Sequence, residues 1–253
     1  MAFPSVADSS NGAITGNTTD WPVIYPTTLS AGNLLFFGAA TDGNSVTFSG
    51  FDSGWETGIE LSDGNCSLVV YLKVAVGTES GQIGSGGGTV TASASEQGVW
   101  RVSAIEDWWG TIATGVEFST GVTGSGTTPD PDELIVSWGA DDALWRALTA
   151  ADGGNTDVSA YPTNYSLNQF YDQSVGGPGA MFGAAGRNYN TDDTQDPGTF
   201  TLDASVGWCA CTVAIRPAAP PAPPKSKGKV LRNRGYKGMA TRSGFGRVRG
   251  GRR

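Results

Sequence analysis

The sequence predicts an all-β fold, an antiparallel β-sandwich assembled from two similar halves. Three observations carry that expectation. Glycine supplies 38 of the 253 residues and proline 13; that is about twice the ordinary share of glycine, and helix interiors penalise both residues. Short β-branched and apolar runs alternate with Gly, Asn, Asp and Ser clusters, which is the punctuation of strands and turns. Finally, the first half of the chain resembles the second at an offset of about 100–110 residues, so each half reads as one layer that cannot bury its apolar face alone.

The elements follow in order. Residues 33–40 form an apolar run, the pattern of a strand buried on both faces. Residues 45–49 alternate, and residues 67–76 form a long β-branched strand. Strands at 89–93 and 99–105 follow, then 133–138, 180–185, 199–202 and 206–215. One helix is expected, over 141–148, where Asp141 or Asp142 would cap it and Leu144, Trp145 and Leu148 would line one side. Residues 84–88, Gly-Ser-Gly-Gly-Gly, lack the Lys-Ser/Thr of a phosphate loop and read as a hairpin connection.

The repeat pairs Asn33-Leu-Leu-Phe-Phe-Gly-Ala with Glu133-Leu-Ile-Val-Ser-Trp-Gly-Ala. It also pairs Thr89-Val-Thr-Ala-Ser-Ala-Ser with Thr199-Phe-Thr-Leu-Asp-Ala-Ser, each followed by a Trp-bearing strand. Two sheets packed about 10 Å apart would bury both halves. The expectation is a jelly-roll-like sandwich of eight or more strands over residues 1–216, with two tandem small sandwiches as the alternative.

The net charge of −8 is unevenly spread. Residues 1–224 hold five basic residues against 24 acidic ones, or −19, and residues 225–253 hold eleven basic residues and no acid. Between them, residues 217–224 form a Pro/Ala-rich spacer suited to extended polyproline II. The segment 225–253 has no helical or strand periodicity and reads as a basic anchoring tail that orders on a partner. Lys225, Lys227, Lys229, Arg232, Arg234, Arg242, Arg247, Arg249, Arg252 and Arg253 would supply its charge, and Tyr236 and Phe245 its fixed contacts. Phosphate contacts and base stacking make nucleic acid the second partner class, although an acidic body is repelled from it.

Catalysis has little to work with. The chain has no histidine, which removes the usual general base and the commonest metal ligand. Glu106-Asp107-Trp108-Trp109 is the most suggestive cluster: Trp108 and Trp109 would stack on a sugar, as a weak glycan site. Neighbouring strand residues point to opposite faces, so Glu106 and Asp107 are poorly placed as a hydrolytic pair. The acidic stretches 128–132 and 192–196 match no EF-hand spacing and read as solvated turns. Of three cysteines, Cys209 and Cys211 would share one strand face as buried free thiols. Two cysteines without histidine give too few soft ligands for a metal, so no catalytic residue, metal or cofactor is expected. No apolar run reaches membrane-spanning length, and the opening Met-Ala-Phe-Pro-Ser reads as no signal peptide. Two glycosylation sequons, at Asn17 and Asn164, then read as chance.

The succession ITGNTTDWPVIYP, AGNLLFFGAATDG, SLVVYLKVAVGTESG, TVTASASEQGVWRVSAIED and GWCACTVAIRPA resembles a family of jelly-roll proteins of tailed bacteriophages and metagenomic phage genomes. The resemblance covers roughly residues 4–217, and its motifs are strand signatures. It implies a non-enzymatic virion structural protein, a head decoration or fibre or a tail appendage, assembled in the host cytoplasm. Expected partners are other virion proteins, capsid or tail, and further copies of the chain, with no membrane involved. The basic tail lies outside the resemblance.

Overall fold

β-Branched and aromatic runs set the strands of the computed structural model, which describes residues 2–175 and 179–220. In the first half these are β1 (Ser5–Trp21), β2 (Leu34–Asp42), β3 (Phe48–Ser49), β4 (Glu56–Ser62), β5 (Cys66–Val74) and β6 (Val90–Glu106). In the second they are β7 (Val116–Phe118), β8 (Val122–Gly126), β9 (Leu134–Ile135), β10 (Ala143–Asp152), β11 (Val158–Ala160), β12 (Leu167–Gln173), β13 (Ala180–Tyr189), β14 (Thr194–Gln195), β15 (Thr201–Leu202) and β16 (Val206–Ile215). A single helical turn, α1 (Ile112–Gly115), and a 3-10 turn over Ser85–Gly87 are the helical elements among the described residues. All strand pairs are antiparallel.

Each half of the chain builds one sheet. The first runs β1-β6-β2-β5-β4, with β3 also on β6; the second runs β12-β13-β10-β16-β7, with β8 also on β16. The order β6-β2-β5-β4 therefore recurs as β16-β10-β13-β12. The small pairing of β3 on β6 (Phe48 opposite Ala92) recurs as β11 on β15 (Val158 opposite Leu202). The fold is an all-β, antiparallel sandwich with an internal duplication.

Apolar side chains fill three layers. Leu34, Phe36, Leu68, Val70 and Leu72 of the first sheet meet Leu144, Leu148, Phe182, Val213 and Ile215 of the second across the middle. The outward residues are buried too. Leu35, Phe37, Val69 and Val102 lie under Trp21, Val23, Tyr25 and Ile83. Trp145, Ala147 and Ala210 lie under Leu134, Val136, Tyr165 and Phe200. Long connections thus roof both sheets, which is why the central strands are continuous apolar runs.

Three expectations are corrected. Residues 141–148 do not form a helix: β10 is a central strand paired along its length with β13 and β16. Burial on both faces removed the alternation that would have marked it, and ladder pairing overrides a modest helix propensity. The repeat is also re-registered. The counterpart of β2 is β10, which ends in Asp152-Gly153 as β2 ends in Asp42-Gly43, rather than residues 133–138, where only Leu134–Ile135 is strand, paired with β14. The strands expected at 89–93 and 99–105 are one continuous strand, β6.

Candidate functional site

The charge pattern of the body is written into its side-chain geometry. Its five cations are Lys73, Arg101, Arg146, Arg187 and Arg216, and none is exposed. Arg216 lies 3.7 Å above the Trp109 ring, with its Nε 3.5 Å from Asp141 Oδ2. Arg187 stacks on Tyr189 and donates to Gln195 Oε1 at 3.0 Å. Arg101 sits over Phe170 and donates to Ser9 Oγ at 3.1 Å. Arg146, 2% exposed, lies over Phe36 between the sheets, and its Nη1 has no hydrogen-bond partner among the described residues. Asp20, Glu56, Glu60, Glu106, Asp130 and Asp203 are all exposed. The described surface therefore presents carboxylates and withholds its cations.

Like charges also gather at one end of the sandwich, where β2 and β10 finish. Burial and the neighbouring Asp152 hold the Asp42 carboxyl above its usual range. Burial and Asp63 do the same to Asp152, and burial and Asp42 to Glu96.

Lys73 anchors the cluster that most resembles an active site. A cleft of about 290 Å³ is lined by Tyr25, Asp52, Lys73, Glu79, Gly84 and Gly86. Lys73 Nζ donates to Asp52 Oδ1 at 2.9 Å and to Tyr25 Oη at 3.1 Å, and lies 3.6 Å from Glu79 Oε1. Tyr25 donates in turn to Asp52 Oδ2, and Trp55 Nε1 to Asp52 Oδ1. Glu79 accepts the backbone N–H groups of Val76 and Gly77. Burial pushes the Tyr25 phenol well above its usual range, with Asp52 adding to the effect. All three ammonium protons have acceptors or an ion pair, so the arrangement pins three loops over the first sheet. Sequence reading passed over Lys73; its signal was a lone cation inside a β-branched strand.

Trp108 and Trp109 do not form the expected sugar platform. Trp108 is 5% exposed, packs in the inter-sheet core and donates its indole N–H to Gly32 O at 2.7 Å. Trp109 is half-buried, with the Arg216 guanidinium covering its ring. The two instead clamp the returning chain: Trp108 bridges Pro217, Trp109 N donates to Arg216 O, and Ala218 N donates to Asp107 O. Glu106 points outward to Ser5 Oγ. The anchoring residues from Lys225 to Arg253 lie outside the described residues.

The cysteines meet differently from the spacing alone. Cys209 and Cys211 do share the inward face of β16, but the close pair is Cys66 Sγ and Cys209 Sγ, 4.0 Å apart across the two sheets. Asp63 joins them, with all three ligand atoms within 4.8 Å of one another.

Fold and surface together define a duplicated antiparallel sandwich with internalised cations and an acidic exterior. No family model matches the chain, and no curated protein or solved structure matches it either.

Proposed function

We propose that the chain is a non-enzymatic structural protein of a tailed-bacteriophage virion, a capsid decoration, head fibre or tail component. In this reading the acidic sandwich faces outward, and the segment 225–253 anchors it to an acidic surface of a neighbouring virion protein. One observation carries the reading: eleven basic residues and no acid follow a body whose five cations are all buried or half-buried. Such a division favours docking of the basic segment over docking of the body. Repeated copies would add avidity to a weak single anchor. The phage assignment rests on the strand signatures of residues 4–217. The jelly-roll part of it rests on those signatures alone, since each sheet is drawn from one half of the chain, the layout of a doubled half-sandwich.

Truncation after Pro224 tests the anchor. Particles assembled with the truncated chain are expected to lack it, and incorporation at normal copy number would sink the proposal. Salt-sensitive retention of DNA by the full chain, lost on truncation, would instead assign the segment to nucleic acid.

A further inference from the structure

We propose that Asp63, Cys66 and Cys209 form a site for a thiophilic divalent cation, zinc by chemical class, that staples the two sheets together. It stands apart from the virion reading and shares no residue with the anchor.

The donor set is assembled from three directions. Asp63 lies in the turn between β4 and β5, Cys66 opens β5 of the first sheet, and Cys209 lies on β16 of the second. Tetrahedral metal–thiolate bonds of about 2.3 Å place two sulfurs about 3.8 Å apart. Cys66 Sγ and Cys209 Sγ stand at 4.0 Å, with the carboxylate inside the same 4.8 Å group. The sequence reading counted only Cys209 and Cys211; the fold instead joins Cys66 and Cys209 with a third donor, Asp63. Two sulfurs and one oxygen, with a water completing the tetrahedron, suit zinc and suit calcium or magnesium poorly.

The carboxylate is held there by construction. Asp63 Oδ1 accepts the backbone N–H groups of Asn65 at 2.8 Å and Cys66 at 2.7 Å. That local turn commits one oxygen and leaves Oδ2 to reach across to the second sheet. Oδ2 settles over the backbone of Gly207, where any Cβ would overlap it. Gly207 thus keeps open the space that the carboxylate occupies beside Cys209. The thiols make long, weak contacts to backbone carbonyls: Cys66 Sγ to Ala150 O at 3.8 Å and to Gly207 O at 3.9 Å, and Cys209 Sγ to Cys66 O at 3.7 Å. The surrounding field favours a cation, since Asp152 and Asp42 crowd the same end of the sandwich.

Binding is an exchange without redox change. The cation takes two thiolates and one carboxylate, and both thiol protons leave to solvent. One such site would tie together residues 143 apart in the chain, one from each half.

The full-length chain, purified with reductant and stripped of metal, is titrated with cobalt(II), whose thiolate charge-transfer absorption reports sulfur ligation. One equivalent should bind, be displaced by zinc, and raise the thermal midpoint. Cys66→Ser and Cys209→Ser should abolish the thiolate band, whereas Cys211→Ser should keep it. Gly207→Ala, in extended backbone that alanine adopts, should weaken binding by about 10–100-fold with all three thiols present. If a cysteine variant fails to fold, Gly207→Ala and Asp63→Asn still decide. Absence of the band, its persistence in both single serine variants, or unchanged affinity in Gly207→Ala would overturn the assignment. So would isolation of the chain with Cys66 and Cys209 already joined as a disulfide.

Discussion

Arg146 carries a full charge between two apolar sheets and receives only an aromatic face in return. Burial, and then the like charge of Arg101, pull its proton affinity down to about 9, still above neutrality, so the guanidinium stays charged at pH 7. Its stack on Phe36 offsets part of the desolvation, but among the described residues no carboxylate pairs with it and Nη1 has no hydrogen-bond partner. Methionine has similar length and needs no hydrogen bond. Arg146→Met should therefore stabilise the fold by about 1 kcal/mol, a rise of about 2–4 °C in thermal midpoint for a chain of this size. A fall on calorimetry would mean that the guanidinium holds a partner of its own. Nothing in the sequence marked this residue: Leu144, Trp145 and Leu148 read as one side of a helix until the strand is known to be central.

Elements differ in how much of themselves they write into the sequence. β2, β5, β13 and β16 were legible because a central strand under a roof is an unbroken apolar run. β1 and β12 were not, because they are half-exposed edge strands whose burial comes from partners distant in sequence. The same lack of alternation that identified β2 disguised β10, where the capping Asp141 or Asp142 and the spacing of Leu144, Trp145 and Leu148 tipped the reading towards helix. The candidate site was legible only as a charge balance: composition announced few cations, but only folding showed each one tucked against a ring or a carboxylate. The meeting of Cys66 with Cys209 was beyond reach, since no local spacing links residues on opposite sheets. Sheet separation itself turns on small residues, of which Gly38 is one. Gly38 of β2 faces Phe182 of β13, and a Cβ there would lie 2.7 Å from the ring tip, which is 1% exposed and has no room to retreat. Gly38→Ala should cost about 1–3 kcal/mol by overpacking, read from urea denaturation. Adding Phe182→Leu should recover part of that loss, and strictly additive effects would place the strain elsewhere.

For the whole molecule, the withdrawn cations leave 24 carboxylates to repel one another across a body of net charge −19. The consequence for pH follows from the direction of the shifts. Asp42, Asp152 and Glu96 bind their protons more tightly in the fold than in the unfolded chain. Between their raised values and the unfolded carboxylate values of about 4, the native state holds more protons, so stability falls as pH rises through that window. Asp8 acts oppositely: the backbone N–H of Thr28 and the hydroxyl of Thr27 lower its value, and its contribution is lost only at more acid pH. Stability should therefore be highest at the acid end of that window, fall as pH rises through it, and level off once the three carboxyls are ionised. Added salt should raise the thermal midpoint near pH 8 by screening the repulsion, where a body held by surface ion pairs would weaken. Asp42→Asn removes a charge that both Asp152 and Glu96 feel. It should raise the midpoint near pH 8, leave it nearly unchanged near pH 4, and flatten the slope between. A variant curve merely parallel to the parent would show that the crowded end of the sandwich does not set the pH response.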